Sequence, residues 1–152
     1  MKMRLNGAVG TTCIFSLVVG SLAQTTVGRE NIIRIDVNAL RSDRGQVVCA
    51  LFSSAADFPK KADKALAHVK STISDRHATC DFNNVPPGTY AISAFHDENS
   101  NGKLDTNFLG IPREGVGASN NAKGHFGPPK FAAAAFQYSE GITIVKITIA
   151  YL

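Results

Sequence analysis

The sequence predicts an all-β fold: an antiparallel two-sheet sandwich of about seven strands, with one short helix and a long ordered loop. Three observations favour this class. Short segments of alternating apolar and polar residues recur along the chain, thirteen glycines and six prolines mark many turns, and strands do not alternate regularly with helices. Because 44% of the 152 residues are hydrophobic and 18% are charged, the chain can form the core of a single domain.

The strands are predicted from a two-residue periodicity and the turn residues between the segments. The first segment alternates apolar and charged residues, as a half-buried strand does, and the last is rich in β-branched residues. Turns are predicted at Gly45 and around Gly88. The predicted strands are residues 33–37, 46–52, 71–74, 77–82, 89–95, 131–138 and 142–149.

One segment has helical rather than strand-like spacing. Apolar residues recur at three- and four-residue intervals from Phe58 to Val69, and Pro59 suits a first helical position. The sequence therefore predicts a short helix over residues 59–68, packed on the core.

The first 23 residues have the features of a signal peptide. A basic start with Lys2 and Arg4 is followed by a short apolar run, and small residues at Ser21 and Ala23 suit a cleavage site before Gln24. The alternative is a buried amino-terminal strand or helix. We therefore predict a signal peptide at 1–23, a short mature segment at 24–30, one domain at 31–152, and an exported protein that is periplasmic or secreted.

Charge excludes some partners. The formal net charge is +4, from 16 basic and 12 acidic residues, and it falls to +2 (14 against 12) without the signal peptide. No basic stripe or run of like charges is present in the rest of the chain. Nucleic acid and an anionic membrane surface are therefore not expected partners, and the mature chain has no apolar run long enough to span a membrane.

The mature chain keeps two cysteines, Cys49 and Cys80. An even number in an oxidising compartment favours a disulfide. Each cysteine lies within a predicted strand at a position that faces the core. We predict a structural Cys49–Cys80 bridge; two buried free thiols are the alternative.

Residues 97–130 form a long segment without strand or helix periodicity, which is uncommon in a compact domain. The segment is not disorder-like, because it contains apolar residues that favour burial. These are Leu104, Phe108, Leu109, Ile111, Val116 and Phe126. The backbone of such a loop needs interactions that satisfy its polar groups and hold it in place.

The start of this loop, residues 97–105, reads D-x-N-x-N-G-x-L-D. Oxygen-bearing side chains at loop positions 1, 3 and 5 converge on one point in EF-hand-like loops, and a glycine at position 6 allows the sharp turn. Leu104 is expected to point into the core. The predicted Ca²⁺ ligands are the side chains of Asp97, Asn99, Asn101 and Asp105 and the carbonyl of Lys103.

The loop departs from an EF-hand at position 12. A bidentate Glu is needed there, and this sequence has Phe108. Glu98 and Glu114 are candidates for the missing oxygen. The alternative without a metal is a turn held by Asn and Asp side-chain hydrogen bonds.

The residues around this loop resemble the exported bacterial domain-of-unknown-function family 2141. The resemblance covers residues 31–152 and rests on the run HDEN…NGKLDTN…GIP-[KR]-EG, with further matches at 82–91, 119–121 and 126–131. It implies a β-sandwich like transthyretin and carboxypeptidase regulatory domains, and it implies no activity. Val116 and Ala118 stand where larger aromatic residues are expected in that family.

Three functions are consistent with the sequence. The first is a non-catalytic calcium-binding module that presents its long loop to a protein or glycan partner. The second is a hydrolase that uses polar residues of the 96–125 loop, although Ser119 lacks the G-x-S-x-G context of a nucleophile elbow. The third is a transition-metal site, whose spacing matches no zinc pattern. The hydrolase candidates are His96, Asp97, Glu114, Ser119 and His125, and the third site would use His96 and His125.

Overall fold

The computed structural model describes residues 30–152. The expected signal peptide, the cleavage site and nearly all of the 24–30 segment lie outside the described residues. Eight strands are present in the described part of the chain. They are β1 (Ile32–Asn38), β2 (Gln46–Phe52), β3 (Ala67–Thr72), β4 (Ala78–Asn83), β5 (Gly88–Asp97), β6 (Val116–Ala118), β7 (Phe136–Tyr138) and β8 (Ile142–Thr148).

The strands form two sheets, which confirms the predicted all-β sandwich. One sheet has the order β4-β1-β8, and the other has the order β3-β2-β5-β6, with β7 also pairing with β5. The long strand β5 is central to the larger sheet. It pairs with β2 along one edge and with β7 and then β6 along the other.

One strand pair departs from the predicted antiparallel arrangement. β1 and β8 run parallel, from Ile32 opposite Ile142 to Asn38 opposite Thr148, whereas the other strand pairs are antiparallel. The alternating pattern of a strand reports which face is buried but not the direction of its neighbour, so the pattern could not reveal this pairing.

The core lies between the sheets, where alternate residues of each strand point inward. Ile33, Ile35 and Val37 of β1 are fully buried. The predicted disulfide is confirmed: it joins Cys49 of β2 to Cys80 of β4 across the two sheets, with Cα atoms 6.6 Å apart. Both cysteines are fully buried, which fits the inward positions that the alternation predicted.

The helix predicted at residues 59–68 is wrong. The structure has one 3-10 turn at Ala62–Lys64, and the chain then enters β3, which pairs with β2 from Leu51 opposite Ala67. Alternate residues of β3 are half-buried. Val69, the last residue of the helical pattern, also fits the two-residue period of β3, and pairing with β2 selects the strand.

The predicted strand at 131–138 begins instead with a short helix, α1 (Phe131–Ala134), which is followed by β7. Phe131 belongs to a second apolar cluster beside the main core. Its ring meets Phe58 edge to face at a centroid distance of 5.9 Å, and Phe58 meets Phe52 in the same way at 5.3 Å.

No helix in the described residues is long and apolar enough to cross a membrane.

The segment 97–130 is interrupted by regular structure, so the prediction of one continuous loop is wrong. β6 and a 3-10 turn at Ser119–Asn121 lie within it. Its apolar side chains are mostly not buried: Phe108 is 95% and Leu109 is 68% exposed, and Leu104, Ile111 and Phe126 are also exposed. Leu104 therefore does not enter the core, because polar interactions rather than apolar burial hold this segment.

Candidate functional site

The candidate site begins where β5 ends, at Asp97. The pairing of β2 with β5 places Gln46 opposite Asp97, and the Gln46 amide donates to Asp97 Oδ2 at 2.6 Å. Gly45 has a φ of 80°, and a side chain there would collide with the backbone of Asp97 and Glu98. The residues at the start of β2 therefore pack closely on Asp97, whose carboxylate is completely buried.

The loop after Asp97 folds back over this carboxylate. The backbone N–H of Asn101 donates to Asp97 Oδ1 at 3.0 Å, and that of Gly102 donates to Oδ2 at 2.8 Å. Gly102 has a φ of 76°, the left-handed conformation that glycine adopts at low cost. A buried carboxylate thus serves as the centre of the turn and is satisfied by neutral donors only.

The next predicted ligands lie around the same turn. Asn99 Oδ1 accepts from the Asn101 N–H at 3.0 Å, and Asn101 Oδ1 accepts from the Lys103 N–H at 2.7 Å. The side-chain amides of Asn99 and Asn101 both donate to the Asp105 carboxylate, at 2.7 and 3.2 Å. The structure therefore brings together the four side chains predicted as ligands. Lys103 joins through its backbone N–H, whereas the predicted ligand is its carbonyl.

Glu114 fixes the two ends of the loop. Its Oε1 accepts from the Glu98 N–H at 2.9 Å and its Oε2 from the Asp105 N–H at 3.0 Å. The side chain is only 5% exposed. Of the two residues proposed to complete a calcium shell, Glu114 is the one bonded directly to the backbone of a predicted ligand.

Glu98 is turned toward a cation instead. Arg41 donates to both Glu98 oxygens, at 2.6 and 2.9 Å. These hydrogen bonds hold the pKa of Glu98 below its usual value and raise the pKa of Arg41. The Arg41 guanidinium also lies over the Tyr151 ring, 4.6 Å from its centroid.

His96 is buried in a hydrogen-bonded position. Its Nε2 lies 2.7 Å from the Arg44 carbonyl oxygen, and its Nδ1 lies 2.7 Å from the Tyr151 hydroxyl. A carbonyl can only accept, so Nε2 carries a proton and Nδ1 is left to accept from Tyr151 in the neutral ring. Burial raises the pKa of the Tyr151 hydroxyl. Both ring nitrogens of His96 are thus used in holding the structure.

Ser119 is also fully buried. Its Oγ accepts from the Ile92 N–H at 2.9 Å and donates to the Ala134 carbonyl at 2.6 Å. His125 is exposed, and no histidine is hydrogen-bonded to Ser119 among the described residues. The hydroxyl links β5 to α1 and so has a packing role.

In residues 30–152, no three or more His, Cys, Asp and Glu side chains cluster as a metal site. The predicted calcium set is of another kind, because it combines two carboxylates with two amides and one backbone carbonyl. His96 and His125, the pair considered for a transition metal, differ in setting: one is buried and the other exposed.

A polar cleft of about 450 Å³ adjoins the loop. Its lining includes Asn99 and Asp105 of the candidate site and Arg44 and Arg113 at the surface. Gln46, Arg41 and Tyr151 also support the site, and no pattern in the sequence indicated them. They lie about 50 residues from the loop in sequence. The register of β2 with β5 places Gln46, whereas Arg41 and Tyr151 lie outside the strands.

Comparison with known proteins identifies the family. Searches of curated proteins and of solved structures find no significant match. A family model described as "uncharacterized protein conserved in bacteria" matches residues 35–146, which extend from within β1 to within β8 and include the 97–105 loop and Glu114. The chain therefore belongs to the DUF2141 family.

Proposed function

We propose that this protein is an exported, non-catalytic module whose 97–105 loop binds Ca²⁺ and which presents the ordered loop to a protein or glycan partner. The observation that carries the proposal is the convergence of Asp97, Asn99, Asn101 and Asp105 around one turn. Oxygen-rich side chains at alternate positions are the ligand type that a hard cation prefers.

The charge of the site supports a cation. Asp97 is fully buried, and no lysine or arginine among the described residues forms an ion pair with Asp97 or Asp105. Instead, amide N–H groups of Asn99 and Asn101 face the Asp105 carboxylate. A cation bound at this carboxylate would take over the interactions that the amide donors now make with it.

The affinity should be modest. Only two carboxylates occupy the predicted positions, and Phe108 stands where an EF-hand has its bidentate Glu. We expect a Kd of about 10⁻⁴ to 10⁻³ M, the range of extracellular calcium modules. Glu114 would increase the affinity if one of its oxygens exchanged a backbone N–H for the ion.

The surface presented to a partner is the hairpin that follows the calcium loop. Thr106 and Pro112 form an isolated bridge, and Asn107 Oδ1 accepts from the N–H groups of Leu109 and Ile111 at 2.9 and 3.0 Å. The tip is therefore ordered, yet Phe108 and Leu109 project into solvent. Ordered, exposed apolar residues are typical of a binding surface.

Export is part of the proposal. The disulfide indicates an oxidising environment, and the family is bacterial. Mass spectrometry of protein recovered from the periplasm or medium should give an amino terminus at or near Gln24. Recovery of intact chain beginning at Met1 from the cytoplasm would contradict export.

The calcium proposal is tested by melting temperature and calorimetry. A tenfold excess of Ca²⁺ over Kd should stabilise the fold by about 1.4 kcal/mol, which is a Tm increase of about 3–6 °C for a domain of this size. Mg²⁺ should have a smaller effect, because it prefers a compact octahedral shell. Asp105→Asn should abolish most of the Ca²⁺ effect and preserve the fold.

Asp63→Ala is the matched control, because Asp63 is an exposed carboxylate in the 3-10 turn. It should keep the full response to Ca²⁺. Asp97→Ala should remove the response and also destabilise the protein without calcium, since three donors lose their acceptor. Absence of binding at millimolar Ca²⁺ in the wild-type protein would mean that side-chain hydrogen bonds alone hold the turn.

The absence of catalysis is tested separately. Purified protein should show no turnover of esters, peptides, glycans or phosphates. Turnover that Ser119→Ala, His96→Ala or His125→Ala abolishes at unchanged Tm would replace this proposal by the hydrolase.

A further inference from the structure

The outer edge of β8, at one side of the smaller sheet, is only partly covered in the described structure. On the far side of this sheet, β4 packs beside β3, and the bridge between Ser74 and His77 closes the connection to the other sheet. On the β8 side, Val116 and Ala150 form an isolated bridge. The amino-terminal part of β8 has no such cover among the described residues.

The hydrogen bonds show which groups of β8 face outward. Gly141 O accepts from Ile32 N, and Ile149 N donates to Asn38 O, so the odd-numbered residues face β1. Thr148 N donates instead to Asn121 Oδ1 at 2.8 Å, so the even-numbered residues face the free edge. Asn121 and the Ala150 bridge satisfy the carboxyl-terminal end of this edge. In the described structure, Ile142, Ile144 and Lys146 keep outward backbone groups without a partner.

We propose that this edge pairs with the β8 strand of a second copy of the chain, antiparallel, about a two-fold axis at Ile144. Three residues with free backbone groups at alternate positions are self-complementary in this register. Ile144 lies opposite Ile144 of the second copy, and Ile142 lies opposite Lys146. Each of the three pairs exchanges two backbone hydrogen bonds, and the sheet becomes continuous through both copies.

Neighbouring registers are less favourable. A shift of two residues toward the carboxyl terminus sets Ile142 of one copy against Thr148, whose N–H is already bonded to Asn121. A shift in the other direction sets Ile142 against Ile144 and leaves Lys146 facing the turn before β8. The register at Ile144 is therefore the one that uses all three free residues and no occupied one.

The side chains on this edge suit a second copy. Ile142 and Ile144 are 56% and 60% exposed, and pairing covers them on one face of the extended sheet. Lys146 lies opposite an isoleucine, so no like charges meet and its aliphatic part packs on the apolar side chain. An edge strand that lacks proline, and has one lysine as its only charge, is poorly protected against such pairing.

The contact is short, so the dimer should be weak and dependent on concentration. The test is disulfide trapping in a Cys13→Ser background, in which Cys49 and Cys80 remain bridged. Ile144→Cys should form a covalent dimer on mild oxidation, because opposite residues in a hydrogen-bonded pair have Cα atoms about 5.5 Å apart, within the range of a disulfide.

The register is tested by a mixture. Ile142→Cys alone should cross-link poorly, because the two copies of residue 142 are about 13 Å apart along the strands. Ile142→Cys mixed with Lys146→Cys should form the mixed dimer at least about tenfold faster than either variant alone. His68→Cys, at an exposed position of edge strand β3, is the matched control for random collision.

A charge variant tests the same contact without cross-linking. Ile144→Lys sets two ammonium groups against each other at the two-fold axis and should weaken the dimer at least about tenfold in sedimentation equilibrium. Its Tm at low concentration should equal that of the wild type, since residue 144 is exposed. A wild-type protein that is monomeric at all concentrations, or Ile144→Cys dimers that form no faster than His68→Cys dimers, would overturn the proposal.

Discussion

The core between the two sheets is held by one kind of interaction, and the loop after β5 is held by another. Between the sheets, Ile33, Ile35 and Cys49 are fully buried and a disulfide links the two layers. In the loop, Asp97 and Glu114 are the buried groups, and they bind backbone N–H groups. The first region depends on side-chain volume, whereas the second depends on acceptor oxygens in fixed places. Substitutions that preserve shape should therefore affect the two regions differently.

The largest effect is expected from the bridge in the core. Cys49→Ala with Cys80→Ala should lower the free energy of unfolding by about 3–4 kcal/mol, because the bridge closes a loop of 31 residues in the unfolded chain. Urea denaturation with and without reductant measures this. Reduced wild-type protein should approach the double variant, and equal stability of all three would show that the bridge adds nothing.

An intermediate effect is expected from a change that keeps shape but removes an acceptor. Glu114→Gln retains one acceptor oxygen for the N–H groups of Glu98 and Asp105, and the other N–H then faces an amide donor. The free energy of local opening should fall by about 1–2 kcal/mol. Hydrogen exchange at residues 98–105 should become about tenfold faster while the core amides change less.

Glu30→Gln is the control for this comparison, because Glu30 is exposed and lies before β1. It should leave exchange in the loop unchanged. Faster exchange throughout the core of Glu114→Gln would show that the loop and the sandwich unfold together, and the distinction between the two regions would be lost.

The smallest effect is expected from an ion pair on the outer face of the smaller sheet. Arg34 donates to both oxygens of Asp81, at 2.8 and 2.6 Å, and these hydrogen bonds lower the pKa of Asp81. Because the folded-state pKa is depressed, the pair contributes stability above the unfolded pKa of Asp, and that contribution is lost as the pH falls through the folded pKa.

Asp81→Asn should therefore lose a little less stability than the wild type between pH 6 and pH 2. Both side chains are partly exposed, so solvent screening keeps the difference below that of Glu114→Gln. Thermal melts across this range measure it. A larger loss in Asp81→Asn than in the wild type would contradict the assigned direction of the pKa shift.

Most strands, the disulfide and the turn of the 97–105 loop could be predicted. Each depends either on residues close in sequence or on a simple count, such as an even number of cysteines or the alternation of buried positions. The strand β1 follows from alternation, and the bridge from an even number of cysteines at inward positions. The turn follows from the order of Asp97, Asn99 and Asn101. Each of these signals can be recognised in the sequence without knowledge of which strands are neighbours.

The wrong predictions concern segments whose conformation or burial is determined by residues distant in sequence. Val69 fits a helical and a strand period equally well, and pairing with β2 selects the strand. Phe108 and Leu109 were expected to be buried, but the hydrogen bonds of Glu114 and Asn107 order the loop without them. Gln46 and Tyr151 contribute to the site only because the sheet brings separate parts of the chain together.

The parallel pairing of β1 with β8 has a consequence for the time at which the chain can fold during synthesis. β1 is the middle strand of its sheet, and Asn31 bonds to Gly141, 110 residues later. In a chain synthesised only as far as β7, the central strand β1 lacks a partner along one edge, and the core between the sheets is incomplete. Contacts of such long range form slowly, so the domain completes its core only when its final strand is available.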